Sequence, residues 1–239
     1  MSDFLTEFRA AAEAYGLALT EAQFAQFARY NELLLDWNTR MNLTALVEPK
    51  DVAVKHMIDS LSAYDAEFFS GSPAVIDVGT GAGFPGLPLK IFAPQINLTL
   101  MDSLAKRVTF LETVVQELGL ENVRCIHARA EEAARDKKYR EQYDLAVSRA
   151  VARLPVLLEY TLPFVKKGGH LLALKGRAWE EELQDSTRAL KLLGGTKKSA
   201  RPIKLPGLDD KRAVLVIEKT APTPKAYPRK AGTPAKKPL

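Results

Sequence analysis

The sequence has few cysteines and histidines, and this scarcity excludes several classes of protein. Its 239 residues include one cysteine, Cys125, and three histidines. A single thiol cannot build an internal disulfide framework, and the dispersed His56, His127 and His170 do not provide the clustered ligands of a catalytic zinc site. We therefore expect no metal site and a reducing, cytoplasmic compartment.

Long apolar runs are also missing. No segment approaches the ~18 consecutive apolar residues of a membrane-spanning helix, and the N-terminal stretch carries acidic residues early. We expect neither secretion nor membrane insertion. No second apolar face for dimerisation is evident, which favours a monomer. With 46% hydrophobic residues, however, a chain of this length can bury a substantial core.

An excess of charge of one sign is confined to the C-terminal end. The chain has 34 basic and 29 acidic residues, a formal net charge of +5. Residues 220–239 hold five basic residues and no acidic one, so the rest of the chain is formally neutral. Five of the 14 prolines lie there too. We predict that residues 220–239 form a disordered basic tail, either a loose tether for polyphosphate or a solvated segment without a partner.

Helical periodicity dominates residues 1–70, and alternating strand and helix patterns follow in residues 71–219. A capping-box pattern at Thr20 and Gln23 opens an amphipathic run whose aromatic residues recur at helical spacing, which predicts a small helical lobe. Strands are then expected at AVIDV, INLTLMD, NVRCIHA, YDLAVSRA, LLALKG and AVLVIEK. This alternation predicts an α/β fold in which a Rossmann-like, mostly parallel sheet with helices on both faces follows the lobe.

The segment VIDVGTGAGFPG, residues 75–86, joins the first expected strand to a helix. Glycines at Gly79 and Gly81 let the backbone and the helix N-terminus approach a ligand closely. Asp77 lies at the end of the strand, and Asp102 ends the next one, about 20 residues further on, the spacing of an acid that binds ribose hydroxyls. We therefore expect these four residues to hold an adenosine-type cofactor.

Two cofactors are compatible with this turn. Residues 81–86 formally match the dinucleotide pattern G-x-G-x-x-G, which keeps a nicotinamide-dependent oxidoreductase open. That match begins two residues after Gly79, the first glycine to leave the strand. Asp77 also places a carboxylate near a cationic sulfonium and amine rather than near a pyrophosphate. The electrostatics therefore favours S-adenosylmethionine.

The turn and four further segments resemble those of one methyltransferase family. DVGTGAGFPGLPLKI is similar to the first motif of S-adenosylmethionine-dependent methyltransferases, and with NLTAL, HMIDSL, ARAEE and YDLAVSRAVA it resembles the RsmG family, once called glucose-inhibited division protein B. The likeness runs from about residue 37 to residue 219, so the tail lies outside it. The resemblance implies methylation of N7 of a guanine, with 16S rRNA or the small ribosomal subunit as partner. The cofactor contacts that it implies are Gly79, Phe84, Ala130, Glu131 and Arg149.

The residues themselves limit which atom of a nucleobase this chain can methylate. Methylation of cytosine C5 usually needs a cysteine nucleophile, but Cys125 lies inside an apolar strand pattern. The Asp/Asn-Pro-Pro-aromatic corner that commonly serves exocyclic adenine nitrogen is replaced here by SRAVARLP. Guanine N7 already presents a lone pair and loses no proton, so positioning and cofactor polarity suffice without a general base.

Two arginines flank the end of the fourth expected strand, where ligands of such sheets bind. A guanidinium grips phosphate or the O6 edge of guanine, so we expect Arg149 and Arg153 to bind substrate and Arg149 to serve catalysis. His56 and Asp59 either order the lobe over the cofactor, approach the substrate or simply pack as helix residues. A methyltransferase of another RNA or of a small molecule, and an RNA-binding module without catalysis, also remain open.

Overall fold

A seven-stranded sheet organises the chain in the computed structural model, which describes residues 3–239. The strands are β1 (Ala74–Val78), β2 (Asn97–Asp102), β3 (Val123–His127), β4 (Tyr143–Arg149), β5 (Val165–Lys175), β6 (Gly195–Ile203) and β7 (Arg212–Lys219). Their spatial order is β3-β2-β1-β4-β5-β7-β6; β1 to β5 pair in parallel, whereas β7 is antiparallel to both of its neighbours. The strand order reverses between β1 and β4, and the crevice outside that point is where ligands of such sheets bind.

Helices cover both faces of the sheet, as the sequence predicted. The lobe contains α1 (Asp3–Tyr15), α2 (Glu21–Asn38), α3 (Pro49–Asp51), a π-helix (Val52–Ile58), α4 (Asp59–Leu61) and α5 (Ala66–Phe69). The later helices are α6 (Gly86–Phe92), α7 (Ala105–Glu117), α8 (Ala130–Ala133), α9 (Leu154–Thr161), α10 (Trp179–Asp185), α11 (Thr187–Leu193) and α12 (Thr233–Lys236), with a 3₁₀ turn at Leu162–Phe164. Within the described residues, no helix has the length and apolarity needed to cross a membrane.

Side chains alternate along the strands and thereby build two separate cores. Val75 and Val147 pack with the lobe, α6 and α7 on one face. Ile76 and Ala146, each one residue away, pack with α9 and α11 on the other face. Because successive strand residues point to opposite faces, a sheet buried on both sides needs apolar residues at consecutive positions. This explains the consecutive apolar residues 74–76 of β1 and 145–147 of β4.

The helical lobe is fastened to the glycine turn and to the helix that follows it. The predicted capping box is present, since the backbone N–H of Gln23 donates to Thr20 Oγ1 at 3.2 Å and the Thr20 N–H donates to Gln23 Oε1 at 2.9 Å. Gln23 Nε2 also donates to the carbonyl of Ile91 at 2.9 Å, near the end of α6. Deeper in the lobe, the buried Tyr30 hydroxyl donates to the Ala82 carbonyl at 2.5 Å. The lobe therefore supports the turn directly.

Residues 220–239 are ordered against the α/β domain, so the prediction of a disordered tail was wrong. Arg140 donates to the carbonyls of Thr223 at 2.7 Å and Tyr227 at 2.9 Å. Arg229 forms an ion pair of 2.6 Å with Glu159, whose side chain is fully buried. Proline removes backbone donors and leaves carbonyls without partners in the segment. The Arg140 side chain donates to such carbonyls, and the buried Glu159 carboxylate accepts from Arg229. The composition of the tail alone does not reveal these contacts.

Candidate active site

The glycine turn after β1 has a backbone that only glycine adopts readily. Gly79 and Gly83 have φ angles of +72° and +100°. A Cβ atom on Gly79 would lie 2.7 Å from Val151 Cγ2, and one on Gly83 would lie 2.3 Å from Leu87 Cδ1. Positive φ and close approach both exclude side chains here. The backbone of the turn consequently lies against the end of β4 and against the start of α6.

Asp77 holds this turn from inside the domain. Its side chain is fully buried, and Oδ2 accepts hydrogen bonds from the Thr80 hydroxyl at 2.7 Å and from the Gly86 N–H at 2.8 Å. Oδ1 has no hydrogen-bond partner. Burial outweighs these hydrogen bonds and raises the pKa of Asp77 to about 7. Asp77 therefore joins the end of β1 to the start of α6.

A cavity of about 270 Å³, the smaller cavity, lies at the carboxyl ends of β1 and β2. Its lining includes four residues that the sequence analysis selected for cofactor binding, namely Gly79, Asp102, Ala130 and Glu131. The Asp102 side chain is almost fully buried, and its oxygens accept the N–H groups of Gly81 and Leu104, each at 2.9 Å. These two backbone donors fix the carboxylate at the cavity wall.

A larger cavity of about 540 Å³ lies on the other side of the β4 end. Ala150 contributes to the larger cavity and the next residue, Val151, to the smaller one. Ala150 has a φ of +56°, a left-handed conformation that is uncommon outside glycine and often occurs at functional sites. One short stretch of backbone thus separates two cavities at the switch point of the sheet.

Arg149 lies between the β4 end and the lobe, and its guanidinium is held by three groups of one helical segment. Nη1 donates to the Lys55 carbonyl at 2.7 Å and to Asp59 Oδ2 at 2.9 Å. Nη2 lies 2.9 Å from His56 Nδ1. Since a guanidinium has donors only, Nδ1 must accept this hydrogen bond. The π-helix is therefore tied to the sheet by Arg149.

These contacts also determine the protonation of His56. With Nδ1 as acceptor, the ring proton lies on Nε2, which is 2.7 Å from Thr44 Oγ1. Burial, with the charge of Arg149 next to it, lowers the pKa of His56 to about 3. The neutral ring stacks on Phe84 with 4.4 Å between the ring centroids, and the Arg149 guanidinium carbon lies 4.9 Å from the same Phe84 ring. Phe84 thus connects the glycine turn to this network.

Cationic side chains predominate around the larger cavity. The lining contains five of them, at Lys55, Arg149, Lys175, Arg177 and Arg212, and two carboxylates, at Asp59 and Glu182. Lys175 pairs with Glu182 at 2.6 Å, and Arg212 pairs with Asp59 at 3.1 Å. Outside the lining, Asp51 pairs with Lys55 at 2.8 Å and Asp210 pairs with Arg212 at 2.7 Å. The excess of positive charge therefore belongs to the lining itself, and it is suited to a polyanionic ligand.

Comparison with known proteins identifies the family. The sequence model of the family described as rRNA small subunit methyltransferase G matches residues 23–209. This chain belongs to that family. Among curated relatives named ribosomal RNA small subunit methyltransferase G, that of Alkaliphilus metalliredigens is 51% identical over 94% of both chains. That of Desulforamulus reducens is 48% identical over 100% of both, and that of Leuconostoc citreum is 54% identical over 94% of both.

Solved structures with low sequence identity share the fold of this rRNA small subunit methyltransferase G family member. TYW2 of M. jannaschii, in complex with AdoMet, superposes with a TM-score of 0.53 at 17% identity, over 69% of this chain and 76% of that one. The 16S rRNA (adenine(1408)-N(1))-methyltransferase of Catenulisporales acidiphilia gives a TM-score of 0.51 at 18% identity, over 67% and 94%. These structures therefore share the α/β architecture of this chain.

The remaining predicted site residues lie around the two cavities rather than in them. Asp77, Gly81 and Phe84 do not line either cavity: Gly81 orients Asp102, and Phe84 lies beneath His56 and Arg149. Arg153 donates to Glu181 and Asp185 of α10, each at 2.9 Å, and is more than half exposed. The predicted substrate contact of Arg153 stays a prediction. Arg149 lines the larger cavity and not the smaller one, so its predicted contacts with substrate and cofactor also stay predictions.

Several lining residues were not selected from the sequence. Lys175 and Arg212 line the larger cavity. Tyr160, Gly232 and Ala235 line the smaller one. The last two belong to the segment that was expected to be disordered. No local motif marks them, since the cavity forms only when distant parts of the chain meet.

Proposed function

We propose that this chain transfers a methyl group from S-adenosylmethionine to N7 of a guanine in 16S small-subunit rRNA. The observation that carries the proposal is the pair of cavities on either side of the β4 end. One is lined by the residues of an adenosine-binding pattern, and the other has an excess of cationic side chains. Membership of the rRNA small subunit methyltransferase G family supports the same activity.

The residues of the smaller cavity have the donor and acceptor groups that S-adenosylmethionine requires. The carboxylates of Asp102 and Glu131 are acceptors for ribose hydroxyls and for an amine, and Gly79 exposes backbone without a side chain. When bound, S-adenosylmethionine supplies an electrophilic methyl group on a positively charged sulfur. The two backbone N–H groups on Asp102 keep its carboxylate oriented before any ligand arrives.

The larger cavity has the size and charge for the nucleotide that is methylated. Its cationic lining favours the phosphates of an RNA strand, while the neutral His56 adds no further charge. Both nitrogens of His56 are already engaged, by Arg149 and by Thr44, so this histidine does not serve as a base. Guanine N7 has an in-plane lone pair and no proton to lose, so the reaction needs orientation rather than proton removal.

In the proposed reaction, Arg149 acts by orienting the groups around the two cavities. Its guanidinium holds the π-helix against the β4 end and covers Phe84, so the wall between the two cavities keeps its shape. Because the same side chain lines the larger cavity, it also presents positive charge to the RNA. The nicotinamide alternative has no comparable support, since the family is one of methyltransferases.

The test is transfer of radiolabel from S-adenosylmethionine to small ribosomal subunits taken from a strain that lacks this gene. The RNA is digested and the labelled nucleoside is identified. We expect the label in 7-methylguanosine, with little transfer by Arg149→Ala and normal transfer by Arg188→Ala, which alters an exposed arginine away from both cavities. Label in another nucleoside, or no label although the cofactor binds, would contradict the proposal.

We further propose that the protein acts as a monomer in the cytoplasm. Among the described residues, the exposed large hydrophobic side chains are Val47 and Leu104, which are far too few for a stable apolar interface. Light scattering coupled to size exclusion should give the mass of one chain. A dimer mass that persists on dilution would contradict this.

A further inference from the structure

One wall of the smaller cavity comes from the C-terminal segment rather than from the sheet. Gly232 and Ala235 line the cavity together with Glu131 and Tyr160. The Gly232 N–H donates to Glu131 Oε1 at 2.9 Å. Glu131 is almost fully buried, so this backbone donor meets a carboxylate that has little access to water. A hydrogen bond to a buried carboxylate is one of the stronger kinds.

The segment is held close to the cavity by a second buried carboxylate. Glu159 on α9 is fully buried and accepts hydrogen bonds from the backbone N–H of Arg229 at 2.7 Å and from its guanidinium at 2.6 Å. Glu159 precedes Tyr160, which itself lines the cavity. The course of residues 229–235 is thus fixed by carboxylates of α8 and α9, both of which border the cavity.

A third anchor lies where the segment leaves β7. The Lys219 side chain is fully buried, and its ammonium donates to the Leu162 carbonyl at 2.6 Å and to Thr223 Oγ1 at 2.7 Å. The Thr223 N–H in turn donates to Glu141 Oε1 at 2.8 Å. Burial lowers the pKa of Lys219 to about 8. With fixed contacts at both ends, residues 220–235 follow one path across the domain.

We infer that residues 229–235 form part of the S-adenosylmethionine site, with Gly232 positioning Glu131 and Ala235 closing one side of the cavity. The inference rests on the proposed function, because it takes the smaller cavity as the cofactor site. In this position, residues 229–235 affect the cofactor site in two ways. They fix the rotamer of an acidic wall residue before ligand binding, and they remove one open side through which solvent would reach the ligand. Both effects increase affinity by preorganisation.

The first test measures binding of S-adenosylmethionine by calorimetry to the full chain and to a chain that ends at Thr220. We expect the shortened chain to bind at least about tenfold more weakly. Equal affinity of the two chains would overturn the inference. If the full chain fails to bind S-adenosylmethionine, the proposed function itself is wrong, so the two failures are distinguishable.

A second test avoids the risk that the shortened chain does not fold. Ala235→Trp introduces a bulky side chain at the cavity wall, whereas Lys236→Trp introduces the same group at the exposed neighbour outside the lining. We expect Ala235→Trp to weaken binding of S-adenosylmethionine at least about tenfold, and Lys236→Trp to leave it unchanged. In the unaltered chain, hydrogen exchange at the Gly232 amide should slow when the cofactor is added. Unchanged affinity of Ala235→Trp would overturn the inference.

Discussion

At the scale of single residues, the Arg149 guanidinium makes several polar contacts at once. It meets a backbone carbonyl, a carboxylate and an imidazole within 3 Å, and it lies over the Phe84 ring. A lysine has one ammonium in place of a planar fork, so it cannot make these contacts together. Both Arg149→Lys and Arg149→Ala should therefore reduce methyl transfer by about a hundredfold or more, since misplacement of about 1 Å has that cost.

Circular dichroism should show that both variants remain folded, because Asp59 keeps its second partner, Arg212. Transfer to small subunits is the measurement, and Arg188→Lys is the matched control. Near-normal transfer by Arg149→Lys would mean that charge alone is sufficient at this position.

Two buried groups in the site give opposite pH dependences of stability. His56 has a folded pKa of about 3, below its ordinary value of 6.5, so its contribution to the free energy of unfolding is present above pH 6.5 and is lost as the pH falls. Asp77 has a folded pKa of about 7, above its ordinary value of 3.8, so its contribution is present below pH 3.8 and is lost as the pH rises towards 7. Between about pH 4 and pH 6.5 the two effects oppose each other.

Removing one group at a time should separate these effects. Relative to the unaltered chain, His56→Gln should lose stability less steeply on acidification. Asp77→Asn should lose stability less steeply as the pH rises through the same window. Each difference should approach about 1 kcal/mol per pH unit. Urea unfolding at several pH values is the measurement, and parallel profiles for all three proteins would contradict the assignment.

At the scale of elements, the glycine turn and the lobe depend on each other. Gly81 and Gly83 both have positive φ, but a Cβ on Gly81 meets nothing within 4 Å, while one on Gly83 meets Leu87 and the Tyr30 hydroxyl. Gly81→Ala should therefore cost only the conformational strain, about 1 kcal/mol. Gly83→Ala should cost clearly more and lower the melting temperature further. Equal melting temperatures of the two variants would show that the turn adjusts freely.

The contact between α2 and the turn can be tested through one hydroxyl. Tyr30→Phe leaves the ring in the core but removes the donor to the buried Ala82 carbonyl, which should cost about 1–3 kcal/mol. Tyr64→Phe is the control, because its ring packs on Phe69 and Phe92 in the same lobe. We expect Tyr30→Phe also to bind S-adenosylmethionine more weakly. Unchanged stability of Tyr30→Phe would mean that the lobe does not support the turn.

At the scale of the whole molecule, the C-terminal segment is part of the folded domain. Trypsin cleaves after lysine and arginine only where the backbone opens locally. The bonds after Arg229 and Lys230 should resist trypsin in the unaltered chain, because Arg229 is held by the buried Glu159. Glu159→Gln should make these bonds sensitive to trypsin. The control is Glu132→Gln, which alters an exposed residue next to Glu131 on α8 and should leave the bonds resistant. Rapid cleavage of the unaltered chain would contradict the packing.

The sequence predicted those structural features that depend on a local residue pattern. β1, β2 and β4 were identified from apolar runs, and the capping box from two residues. β6 was missed because an exposed edge strand is rich in lysine and arginine, which oppose edge-to-edge pairing and hide the strand pattern. Residues 179–193 form two helices, α10 and α11, which are separated at Ser186.

What the sequence did not predict depends on distant contacts. The chain places His56 beside Arg149 across 93 positions, and Gly232 beside Glu131 across 101. No local periodicity carries that information. The tail prediction failed for the same reason: a proline-rich, basic segment lacks a core of its own, and the buried carboxylates that order it lie elsewhere in the chain.

The short backbone stretch between the two cavities also has a consequence for inhibitors. A ligand that fills one cavity competes with only one of the two partners of the reaction. A molecule that joins an adenosine-like part to a guanine-like part would occupy both cavities, and its linker would have to pass Ala150, whose side chain is a single methyl group. Replacing Ala150 by a larger residue would then weaken binding of such a molecule more than binding of either of its halves. Ala150 is therefore a position at which a substitution would give resistance to an inhibitor of this kind.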